Sequence, residues 1–142
     1  MAKRRSTLNL FLDSSVLFTA VNSSFGGSAK LFTLPDVKLH VFRVVLHEVE
    51  KNVRKKLGEI YLERFFRLID QSTVLNIQSS ENEIVKAGKV IMAKDSAILA
   101  EFKRSICTHL ITLDKRDFLQ DTVFKFVAPK KIWTPKMFFE NN

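Results

Sequence analysis

Apolar positions along the chain recur with two different periods. Leu8 to Leu12 (LNLFL) is a short, nearly continuous apolar run that stops at Asp13, Ser14 and Ser15, the pattern of a strand buried on both faces. Val16 to Val21 then reads as the start of a helix capped by one of those serines, and Asn22 to Ser28 (NSSFGGS) supplies turn chemistry. Ala29 to Leu34 reads as a further helical turn before Pro35, and Val37 to Val41 (VKLHV) alternates apolar and polar side chains, predicting a second strand. From Arg43 the period lengthens. Val44, Val45, Glu48, Val49 and Val53 recur at helical spacing, Lys51, Arg54, Lys55 and Lys56 fall on the other faces, and Gly58 closes the helix.

The helical period resumes over Glu59 to Asp70, which directs Ile60, Leu62, Phe65, Phe66 and Ile69 toward a core, and Thr73 to Ile77 (TVLNI) reads as a third strand. Glu81 to Met92 predicts another helix, followed by a helix over Ser96 to Arg104 with Asp95 or Ser96 as its N-cap. His109 to Leu113 (HLITL) predicts a strand that stops on Asp114, Lys130 to Trp133 an edge strand, and Pro135 a closing turn of helix. Alternating strands and helices predict an α/β fold with a mostly parallel sheet and helices on both faces. Ligands of such sheets sit at the carboxyl ends of the strands, and two of the strands here end in carboxylates, Asp13 and Asp114.

Length and composition narrow this picture. The 142 residues give room for one domain with a real hydrophobic core, so residues 1–142 read as a single unit. With 46% hydrophobic residues and only 4 Gly and 3 Pro, a disordered or low-complexity chain is excluded. No run approaches the roughly 20 apolar residues of a membrane helix. Met1 to Arg5 is basic, but Asp13 interrupts the apolar stretch behind it too soon for a signal peptide. The single cysteine, Cys107, allows no internal disulfide and no cysteine-based zinc site, which points to a reducing, cytoplasmic setting. Lys and Arg number 23 against 15 Asp and Glu, and the excess of +8 implies a polyanionic partner, nucleic acid before others.

The acids are the residues with chemistry to offer. Asp13 and Asp114 end strands, Asp117 follows three residues after Asp114, and Asp95 opens a helix, where capping is the ordinary explanation. Glu48 lies on a helix otherwise lined by Val45, Val49 and Val53, where an unpaired carboxylate is costly unless a cation compensates it. Glu50 is its rival, but two residues along a helix is about 200° around it, so one of the pair faces the cleft, and the apolar neighbours favour Glu48. Carboxylates converging on one cleft repel unless a hard cation holds them, and oxygen-only ligands suit Mg2+ or Mn2+. His40, His47 and His109 are too scattered for a zinc spacing, and Cys107 reads as a buried small apolar residue. The 13 Phe residues, concentrated at Phe65-Phe66, Phe124-Phe126 and Phe138-Phe139, read as core and interface rather than base-stacking groups, which require exposed aromatics beside cations.

Four segments, LNLFLDSSVLF (Leu8 to Phe18), VVLHEVEKNVRKK (Val44 to Lys56), KDSAILAEFKR (Lys94 to Arg104) and HLITLDKRDF (His109 to Phe118), resemble in order and spacing the four acidic motifs of PIN domains. The similarity extends to RFFRLID (Arg64 to Asp70) and IWTPKMFF (Ile132 to Phe139) and covers nearly the whole chain. The resemblance implies a three-layer α/β/α fold and a metal-dependent ribonuclease of the kind found as toxins in type II toxin-antitoxin pairs. It puts the four acids on Asp13, Glu48, Asp95 and Asp114, with Asp117 as an additional one. Ser14 and Thr112 occupy hydroxyl positions that either orient carboxylates or water or make local backbone bonds. The chain departs from the family's pattern at Phe42, where relatives often have Ser or Thr, and at Leu113, where they often have a small residue.

By that analogy Mg2+ or Mn2+, held by Asp13, Asp95, Asp114 and Asp117 with Glu48 as a catalytic partner, activates a water for in-line attack on an RNA phosphodiester. Lys51, Arg54, Lys55, Lys56, Lys115 and Arg116 are candidates for phosphate contacts, a solvated helix face being the other explanation of the first four. The resemblance also implies an antitoxin partner and a homodimer. A non-catalytic PIN-fold module that binds RNA or protein is the alternative reading.

Overall fold

A computed structural model of the chain describes residues 7–76 and 78–142, so the basic Met1 to Arg5 and the last residue of the third expected strand, Ile77, lie outside the described residues. The elements run β1 (Leu8–Leu12), α1 (Ser14–Asn22), α2 (Gly27–Leu31), β2 (Val37–Phe42), α3 (Arg43–Lys56), α4 (Glu59–Asp70), β3 (Thr73–Leu75), α5 (Glu81–Ala87), α6 (Ala93–Arg104), β4 (His109–Ile111), α7 (Lys115–Phe118), α8 (Asp121–Val127), β5 (Lys131–Trp133) and α9 (Pro135–Asn141). The five strands form one sheet in the order β3-β2-β1-β4-β5, and every pairing is parallel. Successive side chains of a strand point to opposite faces, and Leu10, Phe11 and Leu12 of the central strand are all fully buried. Both faces of the sheet are therefore covered by helices, the three-layer α/β/α arrangement. No helix among the described residues is long and apolar enough to cross a membrane.

Several details correct the sequence reading. Helix α1 begins at Ser14, so the capping position falls on Asp13 rather than on a serine. Helix α6 begins at Ala93 with Met92 in the cap position, so neither Asp95 nor Ser96 caps it and Asp95 sits inside its first turn. On α4 the buried residues are Phe65 and Leu68, whereas Ile60 is 80% exposed and Phe66 45%. At about 100° per residue, Phe66 and Ile60 lie about 100° and 140° around the helix from Phe65, outside the buried stripe. Helix α5 stops at Ala87, short of the expected Met92, with Gly88 in its C-cap position. Helices α7 and α8 were not expected.

The helices are fixed by bonds as well as by packing. A capping box starts α5: Ser80 accepts from the Glu83 amide while the Glu83 carboxylate accepts from the Ser80 amide. Arg64 of α4 donates to the Ala20 carbonyl in the last turn of α1 at 2.9 Å, which ties the pair of helices beside the sheet. Lys130, just before β5, donates through Nζ to the Phe102 and Ser105 carbonyls at the C-terminal end of α6.

Candidate metal centre

Topology selects one edge of the sheet before any side chain is considered. The chain leaves β1 for β2 and β3 on one side and then crosses to β4 and β5 on the other, so the strand order reverses between β1 and β4. A crevice opens beyond the carboxyl ends of strands at such a reversal. Asp13 follows β1 directly, Thr112 and Asp114 follow β4, and the Asp13 amide donates to the Ile111 carbonyl at 3.0 Å, keeping the two strand ends level.

Asp13 is 4% exposed. It stands in the cap position of α1, yet its side chain makes no capping bond. Its Oδ2 instead accepts from the hydroxyls of Ser15 at 2.9 Å and Thr112 at 2.8 Å. Those hydroxyls accept in turn from the amides of Leu113 (3.0 Å) and Asp114 (2.9 Å). A hydroxyl has one proton, and each is committed to Asp13, so the 3.5 Å approach of Ser15 to Thr112 is a contact rather than a bond. Asp13 Oδ1 makes no hydrogen bond among the described residues. Thr112 is thus a carboxylate-orienting hydroxyl. The serine that does the same is Ser15 and not the expected Ser14, which makes no side-chain hydrogen bond among the described residues.

Asp95 reaches the same place from the first turn of α6. It is 9% exposed, and its Oδ2 is buried with no hydrogen-bond partner among the described residues. Burial raises its pKa from 3.8 to about 6; the Lys94 cation opposes the rise, and the charges of Asp13, Asp114 and Asp117 add to it. Asp114 is half-buried and accepts through Oδ1 from the Asp117 amide at 3.0 Å, which caps α7. One carboxylate oxygen each from Asp95, Asp114 and Asp117 lies within 4.8 Å of the others. A buried carboxylate with a partnerless oxygen, grouped with two more carboxylates, needs a cation or a proton to compensate it. The all-oxygen donor set fits a hard divalent ion such as Mg2+ or Mn2+.

The remaining expected site residues lie on α3 and α7. Glu48 is exposed, which corrects its assignment to the apolar side of α3, and the buried residues of that helix are Val45, Val49 and Val53. Its rival Glu50 is half-buried and pairs with Arg54 at 3.3 Å. Lys51, Arg54, Lys55 and Lys56 are exposed along the later turns of α3, and Lys115 and Arg116 are exposed on α7, next in sequence to Asp114. His40 is buried against Asn9 Oδ1 at 2.9 Å, and His109 packs on Trp133 with ring centres 4.5 Å apart. Cys107 is fully buried, and burial pushes its thiol up to about 11.

No protein-family model and no curated protein matches this sequence. Solved structures do. A toxin-antitoxin complex from Klebsiella pneumoniae aligns with a TM-score of 0.62 at 16% identity, over 89% of this chain and 97% of the other. DNA-bound VapBC from Salmonella typhimurium aligns at 0.63 and 15% identity, over 91% and 99%. VapC20 of Mycobacterium tuberculosis, a toxin that cleaves the sarcin-ricin loop, aligns at 0.56 and 15% identity, over 75% and 91%. At these identities the likeness is one of fold: the chain has the PIN-type α/β/α architecture of such toxins.

Proposed function

We propose that the chain is a metal-dependent endoribonuclease that hydrolyses RNA phosphodiester bonds, of the toxin type found in toxin-antitoxin pairs. The observation that carries this reading is the grouping of Asp95, Asp114 and Asp117, one carboxylate oxygen of each within 4.8 Å of the others, with the Oδ2 of Asp95 buried and partnerless among the described residues, beyond the carboxyl ends of two adjacent parallel strands. Asp95, Asp114 and Asp117 would hold Mg2+ or Mn2+, with the free Oδ1 of Asp13 as a further oxygen. When bound, such an ion supplies an activated water and charge neutralisation on the scissile phosphate. Ser15 and Thr112 hold the Asp13 carboxylate in place by donating to Oδ2, and Glu48 is a solvent-facing carboxylate on α3 available to substrate or water. The basic excess of +8 supplies the attraction for RNA that an acidic pocket alone lacks. An antitoxin protein and a second copy of the chain are the partners that accompany this reading; the Klebsiella and Salmonella structures are themselves toxin assemblies.

The test is cleavage of single-stranded RNA by the purified chain with Mn2+ or Mg2+. Asp13→Asn and Asp95→Asn are each expected to lower the rate by about 100-fold or more, since each removes a carboxylate that the metal requires. Cleavage that survives both substitutions, or that runs equally well in EDTA, refutes the assignment.

A further inference from the structure

A groove of about 540 Å3 lies between the turn that follows α1 and helix α9. Its walls include Leu113 and Lys115, the residues on either side of Asp114 in sequence, together with Lys30, Lys136, Phe139 and Phe25. The wall carries three lysines and no carboxylate. Lys115 has no ion pair among the described residues, Lys30 sits 4.8 Å from the centre of the Phe139 ring, and Lys136 makes only an exposed 3.9 Å contact with Glu140. An exposed pair of that kind holds its cation weakly and leaves it available to a phosphate.

Phe25 is 85% exposed, the most exposed of the large hydrophobic side chains. Its backbone is nevertheless held on both sides: the Ser23 hydroxyl accepts from the Phe25 amide at 3.2 Å and donates to the Phe25 carbonyl at 3.1 Å. Gly26 follows at φ +96°, a conformation that side chains disfavour. At Gly27 an added Cβ would lie 3.0 Å from Pro135 Cβ, so the turn sits closely against the start of α9. An aromatic ring offered to solvent from a pinned turn, in one groove with three cations, has the composition of a base-stacking platform.

We propose that this groove is the path of single-stranded RNA flanking the scissile phosphate, with Phe25 stacking on an unpaired base and Lys30, Lys115 and Lys136 contacting the backbone. The proposal rests on the ribonuclease reading for its choice of substrate, but the binding it describes requires no metal. It is tested by fluorescence anisotropy of a labelled oligouridylate of about ten nucleotides in EDTA, where no metal-dependent cleavage occurs. Phe25→Ala is expected to weaken binding about tenfold, with Phe25→Trp restoring it. Lys115→Ala is expected to weaken binding and to reduce the slope of log affinity against log salt by about 0.7, the loss of one phosphate contact on a single strand. Phe25 lies outside the core, so an unchanged melting temperature verifies that the Ala variant is folded. Wild-type affinity in Phe25→Ala, or no binding of the oligonucleotide by the wild type, overturns the proposal and leaves Phe25 to a protein partner. RNA binding that depends on Phe25 without cleavage in Mn2+ refutes the nuclease and keeps the groove; cleavage indifferent to Phe25 does the reverse.

Discussion

Asp95 is the residue with the most unfavourable electrostatic surroundings. Because its pKa rises to about 6 on folding, the native state keeps the proton to higher pH than the unfolded chain does. The sign follows directly: the Asp95 contribution to metal-free stability is fully present below about pH 4 and is lost as pH rises through about 6, where the buried carboxylate must ionise against the charges of Asp13, Asp114 and Asp117. Asp95→Asn removes that penalty. In EDTA at pH 7 it is expected to stabilise the protein by about 1 kcal/mol after solvent screening, or about 4 °C in Tm, and the gain shrinks toward zero at pH 4. Thermal denaturation of both proteins at the two pH values checks this; a lower Tm of the variant at pH 7 means that the ionised carboxylate is compensated in some other way. The substitution expected to abolish catalysis is thus expected to improve stability, a combination that separates a functional acid from a structural one.

At the scale of elements, α6 presents Asp95 to the cleft and is anchored near its far end. Glu101 is 3% exposed and accepts from the Ser79 amide at 2.6 Å and the Ser79 hydroxyl at 2.9 Å, while Arg104 donates to the Gln78 carbonyl and pairs with Glu83 at 3.3 Å. Glu101→Ala leaves those donors unpaired and is expected to cost about 3 kcal/mol in urea denaturation, with Glu101→Gln, which keeps an acceptor, costing less. The strands that carry the site were legible in the sequence because a strand buried on both faces writes itself as a continuous apolar run, and both runs stop on the acids. Glu48 was misread for a geometric reason. Val45, Val49 and Val53 define a narrow stripe centred on Val49, and Glu48 and Glu50 lie about 100° to either side of it, so spacing alone cannot say which is covered. Ser15 was missed in favour of Ser14 because both lie in the first turn of α1, and only the folded geometry selects which hydroxyl reaches the Asp13 carboxylate. Helix α7 has four residues, less than the period by which a helix is recognised, and what starts it is the Asp114 cap.

For the whole molecule, an acid cluster that holds an ion as proposed would make folding and metal binding one equilibrium. An ion that binds the native cluster and not the unfolded chain stabilises by mass action, about 2.7 kcal/mol at 100 times its dissociation constant. Adding Mn2+ to the EDTA-treated protein is therefore expected to raise Tm by about 10 °C, and to have little effect on a chain carrying both Asp95→Asn and Asp114→Asn. Equal shifts in the two proteins would place the ion elsewhere. The strand order bears on when this equilibrium first exists. The first strand made is the middle one, and its partner across the site, β4, is separated from it by most of the chain. During synthesis β1, β2 and β3 emerge early, and Asp13 then has no Thr112 to hold it. At roughly 5–20 residues per second, several seconds pass between the making of Asp13 and of Asp117. A nascent chain still short of residue 117 lacks part of the acid cluster, which is complete only after four of the five strands have been made.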